Sequence, residues 1–196
     1  VKTFGGTNED DAIAIEEAND GGYVILGFTN SIDGDVTGKT SPDQDYWLLK
    51  LNQDGDKIWD KTYGGTGEDT ITSVAQTADG GHLLAGNSKS NANGDKSQAS
   101  RGDKDFWVVK IDANGTKLWD KRFGGSGTDE CNDVVATADM GYLLVGNSDS
   151  PANGDKSESV SQTGGVDGNG SDFWVVKIDA NGTKLFDKVI PGSTTH

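Results

Sequence analysis

Three aspartates, Asp10, Asp69 and Asp129, each stand four residues after a Gly-Gly pair and recur at intervals of 59 and 60 residues. Carboxylates supplied at equal height by successive repeats would make a ring of hard oxygen donors, the kind that Ca²⁺ prefers. Further oxygens come from three long polar segments, 30–45, 87–105 and 147–172. Each carries a Gly-Asp pair (Asp35, Asp95, Asp155) and ends on an aspartate (Asp45, Asp105, Asp172), and the first adds Asp33 and Asp43. Asp10, Asp33, Asp35, Asp43, Asp45, Asp69, Asp129, Asp155 and Asp172 are therefore the candidate Ca²⁺ ligands, and Ca²⁺ is the candidate cofactor. The same residue type has a structural use, because aspartate accepts hydrogen bonds from backbone N–H groups of its own turn. Recurrence in every unit is what a structural device would show, and no segment matches the twelve-residue helix-loop-helix calcium signature. The first segment holds four acids and one base, the second three acids and four bases, a mixture that counts against one common metal site in all units.

Other chemistry has little support. His82 aligns with Tyr23 and Tyr142, and His196 is the last residue, so no Ser-His partnership recurs and a hydrolase triad is not expected. Cys131 aligns with Ala12 and Ile71, which marks it as core filler and not as a reactive thiol. Acidic residues are too numerous for any pair to stand out as glycosidase carboxylates. Neither a Gly-rich phosphate motif nor a Cys/His metal cluster is present. No catalytic residue is assigned, and the expectation is that the chain is not an enzyme.

The elements that must hold these residues follow from a repeat. "KTFGG" at 2, "KTYGG" at 61 and "KRFGG" at 121 open equivalent registers, and "DFWVVKIDANGTKL" stands at both 105 and 172, with "DYWLLKLNQDGDKI" at 45. Each unit holds four short strand-like runs (from Ala12, Ile71 and Cys131 for the first) separated by turns built on Asp-Gly or Asn-Gly, which supply the backbone angles of tight hairpins. Four antiparallel strands per unit make one propeller blade. Strands such as "FWVVKI" are apolar on both faces, as a sheet sandwiched between neighbours requires. The expectation is one all-β repeat domain over 1–196, with units at 5–63, 64–123 and 124–190 and a half strand at 1–4 left from a preceding unit. Three blades fall short of the four to eight with which propellers close, so the array is expected to be part of a larger propeller or to be completed by association. Trp47, Trp107 and Trp174 at one position, and Trp59, Trp119 and Phe186 at another, read as pegs joining blade to blade and not as ligand platforms. Pro191-Gly192 replaces the glycine pair in the last unit, the irregularity of a terminal repeat. A stacked β-solenoid is the second architecture considered.

Seventeen basic residues against 32 acidic ones give a net charge of -15, which repels nucleic acid and anionic lipid and leaves cations, neutral sugars and proteins as partners. One cysteine rules out an intrachain disulfide. No apolar run approaches the roughly 20 residues of a membrane-spanning helix, so membrane insertion is not expected, and any export signal is expected upstream of "VKTFGG".

The run "DFWVVKIDANGTKLWDKRFGG" followed by "ATADMGYLLVGNSDS" resembles repeats of secreted surface proteins of Bacteroidetes, many of them exported by the type IX route. It is similar, more loosely, to delta-sixty bacterial repeats and to the docking segments of quinoprotein propellers, the latter through the tryptophan alone and with no cofactor-binding residue. The resemblance spans essentially the whole chain and implies a propeller-type fold, secretion and a place at the bacterial cell surface. The function expected is a non-catalytic extracellular module for adhesion or for protein or glycan binding through its variable loops, stabilised by Ca²⁺. The alternatives are a surface enzyme acting on polysaccharide, or its accessory domain, and a lectin-like carbohydrate-binding domain. Partners are a protein or glycan at the cell surface, and self-association or further blades of the same protein.

Overall fold

Hairpin turns set the strand limits. Asn52, Asp112 and Asp179 each accept the N–H groups two and four residues ahead at 2.8–3.0 Å, which closes one turn in every unit. The other turn takes a left-handed residue, Gly21 and Gly80 in two units but Met140 (φ 64°) in the third.

The computed structural model describes residues 1–18, 20–160 and 170–190; His196 and Pro191-Gly192 lie outside the described residues. Twelve strands run in chain order among them: β1 (Asp10–Glu17), β2 (Tyr23–Thr29), β3 (Asp45–Leu51), β4 (Lys57–Tyr63), β5 (Asp69–Gln76), β6 (His82–Ser88), β7 (Asp105–Ile111), β8 (Lys117–Phe123), β9 (Asp129–Ala136), β10 (Tyr142–Ser148), β11 (Asp172–Ile178) and β12 (Lys184–Ile190). They form three four-stranded sheets, each hydrogen-bonded in chain order with every pair antiparallel. This is an all-β, propeller-like array of blades, and the solenoid is set aside.

The first strand of each unit starts two residues earlier than its apolar pattern suggests. Asp10, Asp69 and Asp129 pair with Thr29, Ser88 and Ser148, so the strand begins at the aspartate, and Asp69 and Asp129 also donate their N–H groups to the Gln44 and Lys104 carbonyls ahead of β3 and β7 at 2.7 and 2.8 Å. Opposite the register shift of that strand stand Gly27, Gly86 and Gly146, where a Cβ would lie 1.8–2.2 Å from the Asp11, Thr70 or Glu130 carbonyl oxygen. The expected half strand at 1–4 is corrected: among the described residues the segment has no ladder partner and is not in a strand. It lies where the end of a preceding fourth strand would lie, with Phe4 against the Trp47 cluster and Lys2 Nζ bonded to the Asp54 carbonyl at 2.9 Å.

The core sits between sheets. Val24, Leu26, Tyr46, Leu48 and Tyr63 of the first sheet meet Ile71, Leu84, Trp107, Val109 and Ile111 of the second. Leu83, Ala85, Phe106, Val108 and Phe123 then meet Cys131, Val134, Leu144, Trp174, Val176 and Ile178 of the third. Every residue of β3 and β7 is buried, as both-face packing demands, whereas β11 is open at Phe173 and partly open at Val175. Each joint centres on one pair of rings: Tyr46 on Trp107 with centroids 4.8 Å apart, and Phe106 on Trp174 at 4.9 Å, both tilted. Burying such a ring contributes on the order of 3 kcal/mol.

Candidate functional site

The aspartates converge at the end of the sheets where the long loops leave β2, β6 and β10. Around the first Gly-Gly turn, three carboxylates each take a different N–H: Asp35 that of Gly5 (3.2 Å), Asp10 that of Gly6 (2.7 Å) and Asp33 that of Thr7 (2.8 Å). Asp95 and Asp155 repeat the Asp35 contact at Gly64 and Gly124 (3.4 and 3.3 Å), and Asp69 and Asp129 repeat the Asp10 contact at Gly65 and Gly125 (2.7 Å each). The Ser31, Ser90 and Ser150 hydroxyls also donate to Asp10, Asp69 and Asp129 at 2.7–2.9 Å. In the Asp33 place the other two units carry neutral Asn93 and Asn153, which accept the Thr66 and Ser126 N–H at 2.9 Å. An amide oxygen thus serves there as well as a carboxylate does. Among the described residues, no three His, Cys, Asp or Glu side chains are grouped so as to hold a metal ion.

The third strands begin on buried aspartates. Asp45 accepts Lys39 Nζ at 2.7 Å, while Asp43 offers that ammonium its backbone carbonyl. Asp105 accepts the Arg101 N–H at 2.5 Å and lies 3.8 Å from the Arg122 guanidinium. Burial pushes both carboxyls up to about 6. Asp172 holds the equivalent buried position at the start of β11. Arg122 is itself buried and has Thr62 and Val189 as its counterparts, so this charge cluster belongs to the second sheet alone. Its Nε and Nη1 have no hydrogen-bond partner among the described residues.

Sequence reasoning missed a second set of aspartates. Asp60, Asp120 and Asp187 accept the indole N–H of Trp47, Trp107 and Trp174 at 3.4, 3.1 and 3.1 Å. They also accept the loop N–H groups of Thr37, Ser97 and Ser157, each at 2.8 Å, and the Lys57, Lys117 and Lys184 ammonium groups at 3.2, 3.1 and 2.7 Å. One carboxylate thereby ties indole, loop and fourth strand together. The signal was present, since "IWDK", "LWDK" and "LFDK" keep this Asp in all three units.

His82 is buried in β6, 3.8 Å from Glu16, and burial lowers its affinity for a proton while raising that of Glu16. The two form no strong charge pair near neutral pH. Cys131 is fully buried in the second joint, where burial pushes its thiol far up and leaves it unreactive.

The outer faces of the first and third sheets form a second region. The first sheet presents a cavity of about 210 Å³ lined by Phe4, Ala12, Ile25, Gly27, Trp47 and Leu49. It corresponds to the place that the Tyr46 ring fills against Trp107 and Gly86, and that Phe106 fills against Trp174 and Gly146. The third sheet presents Phe173, 43% exposed, at the β11 position where Tyr46 and Phe106 are 0% exposed. Val145, Phe186 and Ile190 are exposed beside it, whereas their counterparts Leu26, Ala85, Tyr63 and Phe123 are buried and Trp59 and Trp119 partly so.

No protein-family model matches the chain, and no curated protein matches it. Among solved structures the chain is similar to an ACO/RPE65 chimera, at 14% identity and a TM-score of 0.46 over 92% of this chain and 39% of that one. It is also similar to two mutants of the Synechocystis apocarotenoid oxygenase, at 14% and 16% identity and TM-scores of 0.45 and 0.43, each over 89% of this chain and 37% of the other. The chain spans less than two fifths of the length of these structures. The expectation of a non-catalytic adhesion or glycan-binding module, and with it the assignment as a non-enzyme, is corrected here, because structural neighbours include an oxygenase. The correction withdraws the exclusion of catalysis; a likeness this distant gives the chain no activity, substrate or cofactor.

Proposed function

We propose that the chain is an assembly segment, a set of three blades that builds a larger propeller by docking further sheets of its own repeat type on its two outer faces. The observation that carries this is the pair of half joints. Tyr46 on Trp107 and Phe106 on Trp174 are complete, and the outer faces hold what is left over, a socket at Trp47 and an unused ring at Phe173. Unit-to-unit stacking is how repeat arrays bury faces that a single unit cannot. Contiguous exposed apolar surface with a defined counterpart marks an interaction site.

The test is to append a copy of residues 64–123 after Ile190. Its Trp107 equivalent should then seat on Phe173, raising amide protection across β11 and β12 by at least about tenfold. If the appended unit stays unprotected and leaves β11 and β12 unchanged, the assembly reading is wrong.

A further inference from the structure

Resting on that reading, we infer that the sheet docked on the Trp47 face is the third sheet of a second copy of this chain, joined head to tail so that two copies close a ring of six sheets. The two inner joints define what the partner must offer. Each uses a ring from the third strand of one sheet, set on the tryptophan and glycine of the next: Tyr46 at Trp107 and Gly86, Phe106 at Trp174 and Gly146. A Cβ on Gly86 or Gly146 would lie 2.7 Å from Tyr46 Oη or 2.8 Å from Phe106 Cζ, so the ring rests directly on glycine. The Trp47 face keeps both parts of that socket, Trp47 and Gly27, with an empty volume between them.

A second ring contact repeats in the same way. Trp59 and Trp119 lie against the turns at Gly115 and Gly182, where a Cβ would meet them at about 3 Å. Among the described residues a Cβ on the equivalent Gly55 meets no ring, just the Lys2 side chain, and the ring left to cover it is Phe186. A polar contact follows the pattern as well. Gln44 reaches Thr70 at 2.7 Å and Lys104 reaches Glu130 at 3.0 Å across the inner joints. The equivalent Ser171 hydroxyl is buried with no hydrogen-bond partner among the described residues, and its counterpart across the new joint is Asp11.

One chain thus holds both halves of one joint, and joining them twice around a two-fold axis leaves no outer face. A heterologous contact of this kind closes a ring when its rotation allows and otherwise grows a fibre. Six sheets fall within the four to eight of closed propellers. Lys2–Phe4 already occupies the place of Lys61–Tyr63 beside the next sheet, with "KTF" repeating "KTY" and "KRF". In the ring, Lys188–Ile190 of the second copy therefore gives way to it.

Sedimentation velocity from micromolar to submillimolar chain should show one species at twice the chain mass. Phe173→Asp should raise its dissociation constant at least about 100-fold, the effect of losing a central aromatic anchor. Leu185→Asp should leave the constant unchanged, since Leu185 is as exposed (56%) but sits where Ile58 and Leu118 are exposed in the other sheets too. Circular dichroism confirms that each variant is folded. A monomer at all concentrations, open-ended polymers, or a dimer indifferent to Phe173→Asp would overturn the inference. A monomer whose appended fourth unit still docks on Phe173 removes the second copy as partner and leaves the assembly reading standing.

Discussion

The two inner joints are built to one plan from different polar parts. The first couples Tyr46 to Trp107 and adds two hydroxyl bonds, Tyr46 Oη to the Trp107 carbonyl (3.0 Å) and Tyr63 Oη to the Gly115 carbonyl (2.5 Å). The second couples Phe106 to Trp174 without those hydroxyls and carries charge instead, Arg101 to Asp155 at 2.6 Å, Lys104 to Glu130 at 3.0 Å and the buried Arg122 3.9 Å from Asp155. Ring, indole and glycine persist while the polar contacts are exchanged. Apolar burial is therefore what the two joints have in common, while the polar contacts around it are exchanged even where they are buried, as at Tyr46 and Arg122.

The sharpest way to break this comparison uses one residue type at one strand position. Phe106→Ala should cost about 3–5 kcal/mol, because it empties a filled joint, while Phe173→Ala should cost under about 1 kcal/mol in the dilute chain, where the ring is half in water. Equal losses in urea unfolding would show that the joint is not where the stability lies. Next in size, Tyr46→Phe converts the first joint into the second's chemistry. It should cost about 1 kcal/mol, the worth of one buried hydroxyl bond. A loss as large as that of Phe106→Ala would mean that the hydroxyl, not the ring, carries the first joint.

The same contrast marks what was legible in the sequence. Strand count, sheet boundaries and buried tryptophans could be read because both-face burial forces the same text into every unit. The partner ring could not, because Tyr46 and Phe106 look like any strand aromatic until the neighbouring sheet is in place. Asp120 was hidden by position: "WD" lies in a strand, and only the fold brings Trp107, thirteen residues away, and the Ser97 loop onto its carboxylate. The carboxylates gather at one end of the sheets, but residue type alone did not show that Asp10, Asp33 and Asp35 each serve a different N–H of one turn.

The two joints also share a titrating element, the buried carboxyls at the starts of β3 and β7. Asp45 and Asp105 bind protons near pH 6 when folded and near the ordinary 3.8 when unfolded, so between those values the folded state holds more protons. Stability from this source is fully present below about pH 4 and falls as pH rises through 6. Asp79 works in the opposite direction at the far end of the sheets, held down to about 2 by the Thr77 hydroxyl and then by Lys110, so its contribution is lost only as pH falls below about 4. Asp105→Asn keeps an acceptor for the Arg101 N–H and removes the charge. It should abolish about 1–2 kcal/mol of the decline between pH 4 and 6. An unchanged slope would place the titration elsewhere.

The smallest effect expected is that of Ca²⁺. A metal at the Gly-Gly turns would have to take oxygens that already accept backbone N–H and serine hydroxyl groups, and breaking the buried ones at Asp129 costs about 1–3 kcal/mol each. The third and second units hold the Asp33 contact with Asn153 and Asn93, which contribute no charge to attract a cation. Thermal melts with EDTA and with millimolar Ca²⁺ should therefore agree within about 1 °C, since only a ligand that binds the folded state raises its midpoint. A rise of several degrees would instead show that carboxylates leave their turns for the ion, and the loop end would then be a metal centre and not a set of hydrogen-bonded caps.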